Sequence, residues 1–118
     1  MPKPTPEVIF GLHPAIRWAG LTSQKGDVIF SRMRPGIESL TPEQDDQYLL
    51  QFGALIMNGV CQRSSNWLGG CTYVQVGYER LTQLILKFGP DYLAITVEKN
   101  TACGDLLDIV KSVQRLAA

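Results

Sequence analysis

The stretch Thr41-Pro42-Glu43-Gln44-Asp45-Asp46-Gln47-Tyr48-Leu49-Leu50-Gln51-Phe52-Gly53-Ala54-Leu55-Ile56-Met57-Asn58-Gly59-Val60-Cys61-Gln62-Arg63 decides the architecture. It opens with helix-start chemistry: Thr41 as N-cap, Pro42 in the first helical position, acidic side chains over the positive end of the dipole, and Gln44 placed to complete a capping box. A helix is expected from residue 41 to about residue 63, broken by Ser64-Ser65-Asn66 and Gly69-Gly70. At about 100° per residue, Gln47, Gln51, Asn58 and Gln62 share a stripe of roughly 60°, and the apolar residues spread over roughly 260°. A sheet covers little more than roughly 100–140° of a helix, so the rest needs a second apolar partner. A chain of 118 residues has no other large element to supply it. A second copy of the chain, packed helix to helix about a twofold axis, is the economical answer. Gly53 and Gly59 cost about 1 kcal/mol each against alanine, and close backbone approach is the reading preferred for them.

Working outward, residues 15–22 and 28–30 read as strands joined by Ser23-Gln24-Lys25-Gly26-Asp27, where Gly26 can take positive φ, and Arg34-Pro35-Gly36 closes the second strand. Beyond the helix, residues 71–78, 81–88 and 92–99 form a meander with short turns. The last of these carries apolar side chains on both faces, Leu93, Ile95 and Val97 on one and Tyr92 and Ala94 on the other, so both faces of the sheet are covered. Residues 103–118 place Leu106, Ile109, Val110, Val113, Leu116 and Ala117 within roughly 120°, an amphipathic helix. Residues 1–14 form a proline-rich tail with a short helix over residues 7–13, and residues 15–118 form one domain.

Composition narrows function. Eleven basic residues balance eleven acidic ones, so no field of one sign is available for nucleic acid or an acidic membrane. No apolar run is long enough for a signal or a membrane span, and three cysteines without C-x-x-C spacing beside a single histidine write no zinc site; a soluble, cytoplasmic protein is expected. No phosphate loop or dinucleotide fingerprint is present, and nothing brings His13 to Cys61, Cys71 or Cys103 as a base, so neither catalysis nor a metal or cofactor is expected. Cys61 and Cys71 are near enough in the chain to lie close together, although buried thiols acting as small hydrophobes are the preferred reading. Asp45-Asp46 complements the helix dipole. Arg17, Lys25, Arg32 and Arg34 cluster in the hairpin, either as a solvated edge, which is preferred, or as a basic patch for an acidic partner. Trp67, in a polar loop, either plugs that loop, the preferred reading, or anchors a partner.

The hairpin Ile16-Arg17-Trp18-Ala19-Gly20 through Gly26-Asp27-Val28-Ile29, the central helix, the meander with Leu93-Ala94-Ile95-Thr96-Val97, and Gly104 opening the last helix together resemble the roadblock/dynein light chain family, with the nearest likeness to archaeal members. The resemblance spans residues 15–117. It implies an α+β, profilin-like fold: a five-stranded antiparallel sheet in the order strand-strand-helix-strand-strand-strand-helix, with helices on both faces. It also implies homo- or heterodimers formed through the long helix and the following strand, and a non-enzymatic scaffold, adaptor or regulator for small Ras-like GTPases or motor complexes. The helix that members place before the first strand is here short and interrupted by Gly11 and His13-Pro14. On this reading Tyr48, Phe52, Leu55 and Tyr73 form a homodimer interface, and Gln47, Gln51, Asn58 and Gln62 lie at the centre of a partner-binding platform. The competing reading is a small-molecule sensor whose pocket, between sheet and helices, is lined by Trp18 and the cysteines.

Overall fold

The computed structural model describes residues 4–118, and the side chains of Glu43, Gln44, Val60 and Cys61 lie outside what is described. The expected capping by Gln44 and the approach of Cys61 to Cys71 therefore fall outside the described residues. A short helix α1 (Pro6–Phe10) leads into the hairpin β1 (Ile16–Thr22) and β2 (Val28–Met33). Gly26 turns that hairpin at φ 91°, a conformation that costs a residue without Cβ nothing. The long helical segment follows as α2 (Glu43–Ile56), a wider π turn (Met57–Cys61) and α3 (Gln62–Leu68); β3 (Tyr73–Gly77), β4 (Leu81–Phe88), β5 (Asp91–Glu98) and α4 (Cys103–Ala117) complete the chain.

The five strands form one antiparallel sheet in the order β2-β1-β5-β4-β3. This is the α+β, profilin-like architecture expected from the sequence. β5 is central, and its alternation feeds two cores. Leu93, Ile95 and Val97 meet Leu106, Ile109, Val110 and Val113 of α4 together with Ile9 and Phe10 of α1. Tyr92 and Ala94 face the α2 side. Helix α1 thus belongs to the main core despite its brevity. Leu116, placed by its angle on the apolar arc of α4, is exposed, while Ala117 beside it still packs against the core.

Helix α1 ends at Phe10 rather than at His13 and β3 begins at Tyr73 rather than at Cys71, and both ends of the long helical segment differ from expectation. Helix α2 starts one residue late, with Pro42 as its N-cap and no side-chain cap; the Thr41 hydroxyl instead donates to the Asp46 carboxylate at 2.8 Å. Ser64-Ser65-Asn66 does not end the helical segment, since serine and asparagine only weaken a helix. The stop is Gly69, at φ 80°, whose N–H reaches back to the Ser65 carbonyl at 3.0 Å.

A bulge in β1 decides which face Trp18 occupies. Ile16 pairs with Val97 and Trp18 with Thr96, so the register slips at Arg17. Ile16 joins the α4 core, while Trp18 lies on the α2 face with Leu50 and Ala94. Two residues on, Gly20 faces Ala94, and this pair forms a depression into which α2 settles. A Cβ on Gly20 would stand 2.6 Å from Leu50 Cδ2 and 2.6 Å from Trp18 Cζ2. Gly53 approaches Ile85 as closely as anticipated, at 3.3 Å for an added Cβ, whereas Gly59 has open space around it and is merely tolerated. Because Trp18 is pinned by its indole N–H to Ser31 Oγ at 3.0 Å, it cannot swing clear of a methyl at position 20. Gly20→Ala is expected to lower unfolding free energy by about 1–3 kcal/mol, read from urea denaturation, with Gly59→Ala neutral or stabilising as the control.

Candidate functional site

On α2, Leu50, Gly53, Ala54 and Met57 are buried toward the sheet. Directly opposite, at roughly 180° around the helix, stand Tyr48, Phe52 and Leu55. Tyr48 is 68% exposed and Leu55 69%. The apolar excess counted from the sequence therefore forms an outward ridge, and beyond the π turn Trp67 and Leu68 at the end of α3 are 87% and 83% exposed. Trp67 does not plug a loop: it sits on a helix and is open to solvent. Tyr73, the fourth expected interface residue, is not gathered with these three. It pairs with Leu86, whose side chain belongs to the α4 core, so Tyr73 lies on the opposite face of the sheet, on the end strand β3.

The amide stripe runs along the shoulder between buried face and ridge. Gln47 and Gln51 are exposed. Asn58 is committed within the subunit: its Nδ2 donates to the Gln24 carbonyl at 2.8 Å, and its Oδ1 accepts from the Tyr92 hydroxyl. This tie joins the π turn to the β1–β2 turn and to the centre of the sheet. Gln62 follows the π turn, whose wider pitch ends the regular phase that aligned the stripe.

The hairpin arginines form no basic patch. Arg34 turns inward, donating from Nε to the Ile16 carbonyl at 2.6 Å and from Nη2 to the carbonyls of Phe10 and His13 at 2.6 and 2.7 Å, with its guanidinium 5.2 Å from the Phe10 ring centroid. Arg17 pairs with Glu98 at 3.0 Å and donates to the Glu38 carbonyl, and Arg32 pairs with Glu7 at 2.6 Å. Charge-assisted bonds to carbonyls satisfy helix α1 and the turn after it, whose own backbone is too short to do so. His13 accepts from the Ala15 N–H through Nδ1 and turns Nε2 toward Asp105 at 3.8 Å.

Met33, Trp18, Thr96 and Gln83 follow one another across β2, β1, β5 and β4 as a single row of paired residues. Over this row lies a cavity of about 420 Å³, roofed by Leu40 and Leu49 and bounded by Tyr78 and Leu81 of the β3–β4 turn. Trp18 lines it as the sensor reading anticipated; neither Cys71 nor Cys103 does, the one sitting beside the Ala54–Met57 cluster and the other exposed on α4. Among the described residues no His, Cys, Asp and Glu side chains are grouped to hold a metal ion, and no helix is long and apolar enough to cross a membrane. Gln83 gives no signal in the sequence, because a single glutamine in a strand is ordinarily a surface residue.

Two consequences are measurable. Replacing Arg34 by lysine keeps the charge but cannot keep three carbonyls in one fork, and a loss of about 2 kcal/mol in thermal or urea unfolding is expected. Burial pushes the Tyr92 hydroxyl above its ordinary value. The unfolded chain therefore ionises first: stability is intact below pH of about 10, falls as pH rises through the unfolded pKa, and goes on falling until the folded pKa is passed. Tyr92→Phe should remove this alkaline decline from the pH–stability profile while costing about 1 kcal/mol at neutral pH for the lost bond to Asn58.

No family profile matches the sequence, and no curated protein is detectably similar to it. Solved structures do match in three dimensions. A Roadblock/LC7 domain from Streptomyces avermitilis superposes with TM-score 0.66 at 13% identity, over 94% of this chain and 92% of that one. An MglB protein described in a tetrameric arrangement gives TM-score 0.69 at 19% identity, over 94% and 83%. LokiProfilin2, solved in complex with rabbit actin, gives 0.52 at 12%, over 94% and 91%. The chain therefore has the profilin-like fold of the Roadblock/LC7 domain.

Proposed function

We propose that this protein is a non-catalytic adaptor that works as a homodimer, joined along the α2 ridge and the edge of β3, and that binds a partner protein across the joined surface. The observation that carries the reading is the ridge itself. Tyr48, Phe52 and Leu55 stand in one line on the side of α2 away from its own sheet, 68%, 45% and 69% exposed. Burying each such side chain is worth about 1.5–3 kcal/mol before association costs. The end strand β3 offers an open ladder beside the same helix, so a twofold partner can continue the sheet while pairing the helices. The tetrameric arrangement described for MglB supports self-association on this fold.

The exposed Gln47 and Gln51 flank the ridge and can hydrogen-bond a partner without the desolvation cost of a charge. Asn58 serves the fold first, so the platform is read as Gln47, Gln51 and the dimer axis, with Gln62 at its far end. The family resemblance makes a small Ras-like GTPase the partner of choice, and the unpaired thiols at Cys71 and Cys103 suit a reducing, cytoplasmic setting.

Leu55→Arg should convert the dimer to a folded monomer in sedimentation velocity and abolish partner capture with it. The double change Gln47→Arg and Gln51→Arg should leave the dimer intact and still abolish capture. A wild-type monomer at high micromolar concentration would remove the basis of this reading.

A further inference from the structure

The cavity beside α2 contains a buried group that the fold leaves without a partner. The Gln83 side chain is 0% exposed, and among the described residues neither its amide oxygen nor its amide nitrogen has a hydrogen-bond partner. An orphaned buried donor or acceptor costs about 1–3 kcal/mol, and native proteins keep such groups only where something else satisfies them. Leucine or valine would fill this position on a strand without that cost, as Ile85 does two residues on. Gln83 lines about 420 Å³ of space, within the range of small-molecule sites.

We infer that this cavity binds a small, uncharged, planar molecule presenting an adjacent N–H and C=O, a lactam, cyclic imide or nucleobase edge, to the Gln83 amide. The chemistry follows from the walls. A primary amide offers one acceptor and one donor side by side and pairs with the complementary edge through two parallel hydrogen bonds. Trp18, Met33, Leu40 and Leu49 supply apolar surface for a flat ring. Arg17 and Arg80 are balanced in the lining by Asp46 and Glu79, so no net charge favours an ion; Arg17 is bound to Glu98 and to the Glu38 carbonyl, and the Trp18 indole N–H to Ser31. The site is independent of the adaptor reading, since every group in it belongs to one subunit.

The test uses the full chain, isotope-labelled on nitrogen, titrated with 2-pyridone and, separately, with 1-methyl-2-pyridone, which keeps the ring and carbonyl but lacks the N–H. Saturable shifts of the Gln83 side-chain amide and the Trp18 indole signals are expected with 2-pyridone, with Kd of about 1 mM for so small a ring. The methylated ring should bind about tenfold more weakly, as should 2-pyridone to the Gln83→Leu variant. Leu40→Trp, which fills the mouth from an exposed position, should abolish the shifts without unfolding the protein and stands in if Gln83→Leu does not fold. Equal binding of the two rings, or no saturable shift up to about 10 mM, would overturn the inference. So would a Gln83 signal that moves with dilution of the protein and with neither ring, for then a second copy of the chain occupies the cavity.

Discussion

The missing side chain at Gly20 governs how the helix and the sheet meet. With Ala94 beside it, it leaves a shallow depression in the middle of the sheet, Leu50 drops into that depression, and the Cζ2 and Cη2 atoms of the Trp18 ring crowd it. The seating of α2 follows, with Gly53 held against Ile85 farther along. Once the helix is placed, both candidate surfaces are placed too. Its far side becomes the apolar ridge, and the row of Met33, Trp18, Thr96 and Gln83 floors the cavity that Leu49 helps to line. A bulkier residue at position 20 would lift the helix and alter all of these together.

The arginines show how a short, poorly capped element is kept. Helix α1 is five residues long, too short to be stable alone, yet it buries Ile9 and Phe10 in the main core. Arg34 holds it from the end of β2 by bonding carbonyls of α1 and of the turn after it, and the Arg32–Glu7 pair adds a second tie at the surface. Positive charge that looked outward-facing in the sequence is consumed in fastening the chain to itself. A similar substitution occurs at Asn58, whose amide closes a gap between the π turn, the hairpin and Tyr92. The π turn sits where this tie is made, and such turns commonly mark positions where a helix accommodates a local demand.

The ridge and the cavity make different demands on a partner. The ridge is convex and apolar, which suits a flat protein surface or a second copy. The cavity is concave and carries one buried amide, which suits a small planar molecule. They share α2, since Leu49 roofs the cavity and Tyr48 lies on the ridge one residue away. A ligand under the helix and a protein on top of it would therefore bear on the same element, which is the arrangement through which one could bias the other.

Alternation along β5, the hairpin chemistry around Gly26 and the apolar arcs of the two long helices were local properties, and each could be read directly because periodicity and turn preference depend on few neighbours. The excess apolar arc of the long helix was legible for the same reason, and Tyr48, Phe52 and Leu55 stand on it. Tyr73 was assigned by proximity in the chain, but strand pairing sets its face, and it falls on the other side of the sheet. The inward turn of Arg34 depends on carbonyls 18 to 24 residues away, and the face taken by Trp18 depends on a bulge that one residue of register creates. Gln83 became significant only when the fold placed it in the row with Trp18 and Thr96 and left its amide unpaired, because burial and hydrogen-bond satisfaction are properties of the assembled neighbours and not of the residue.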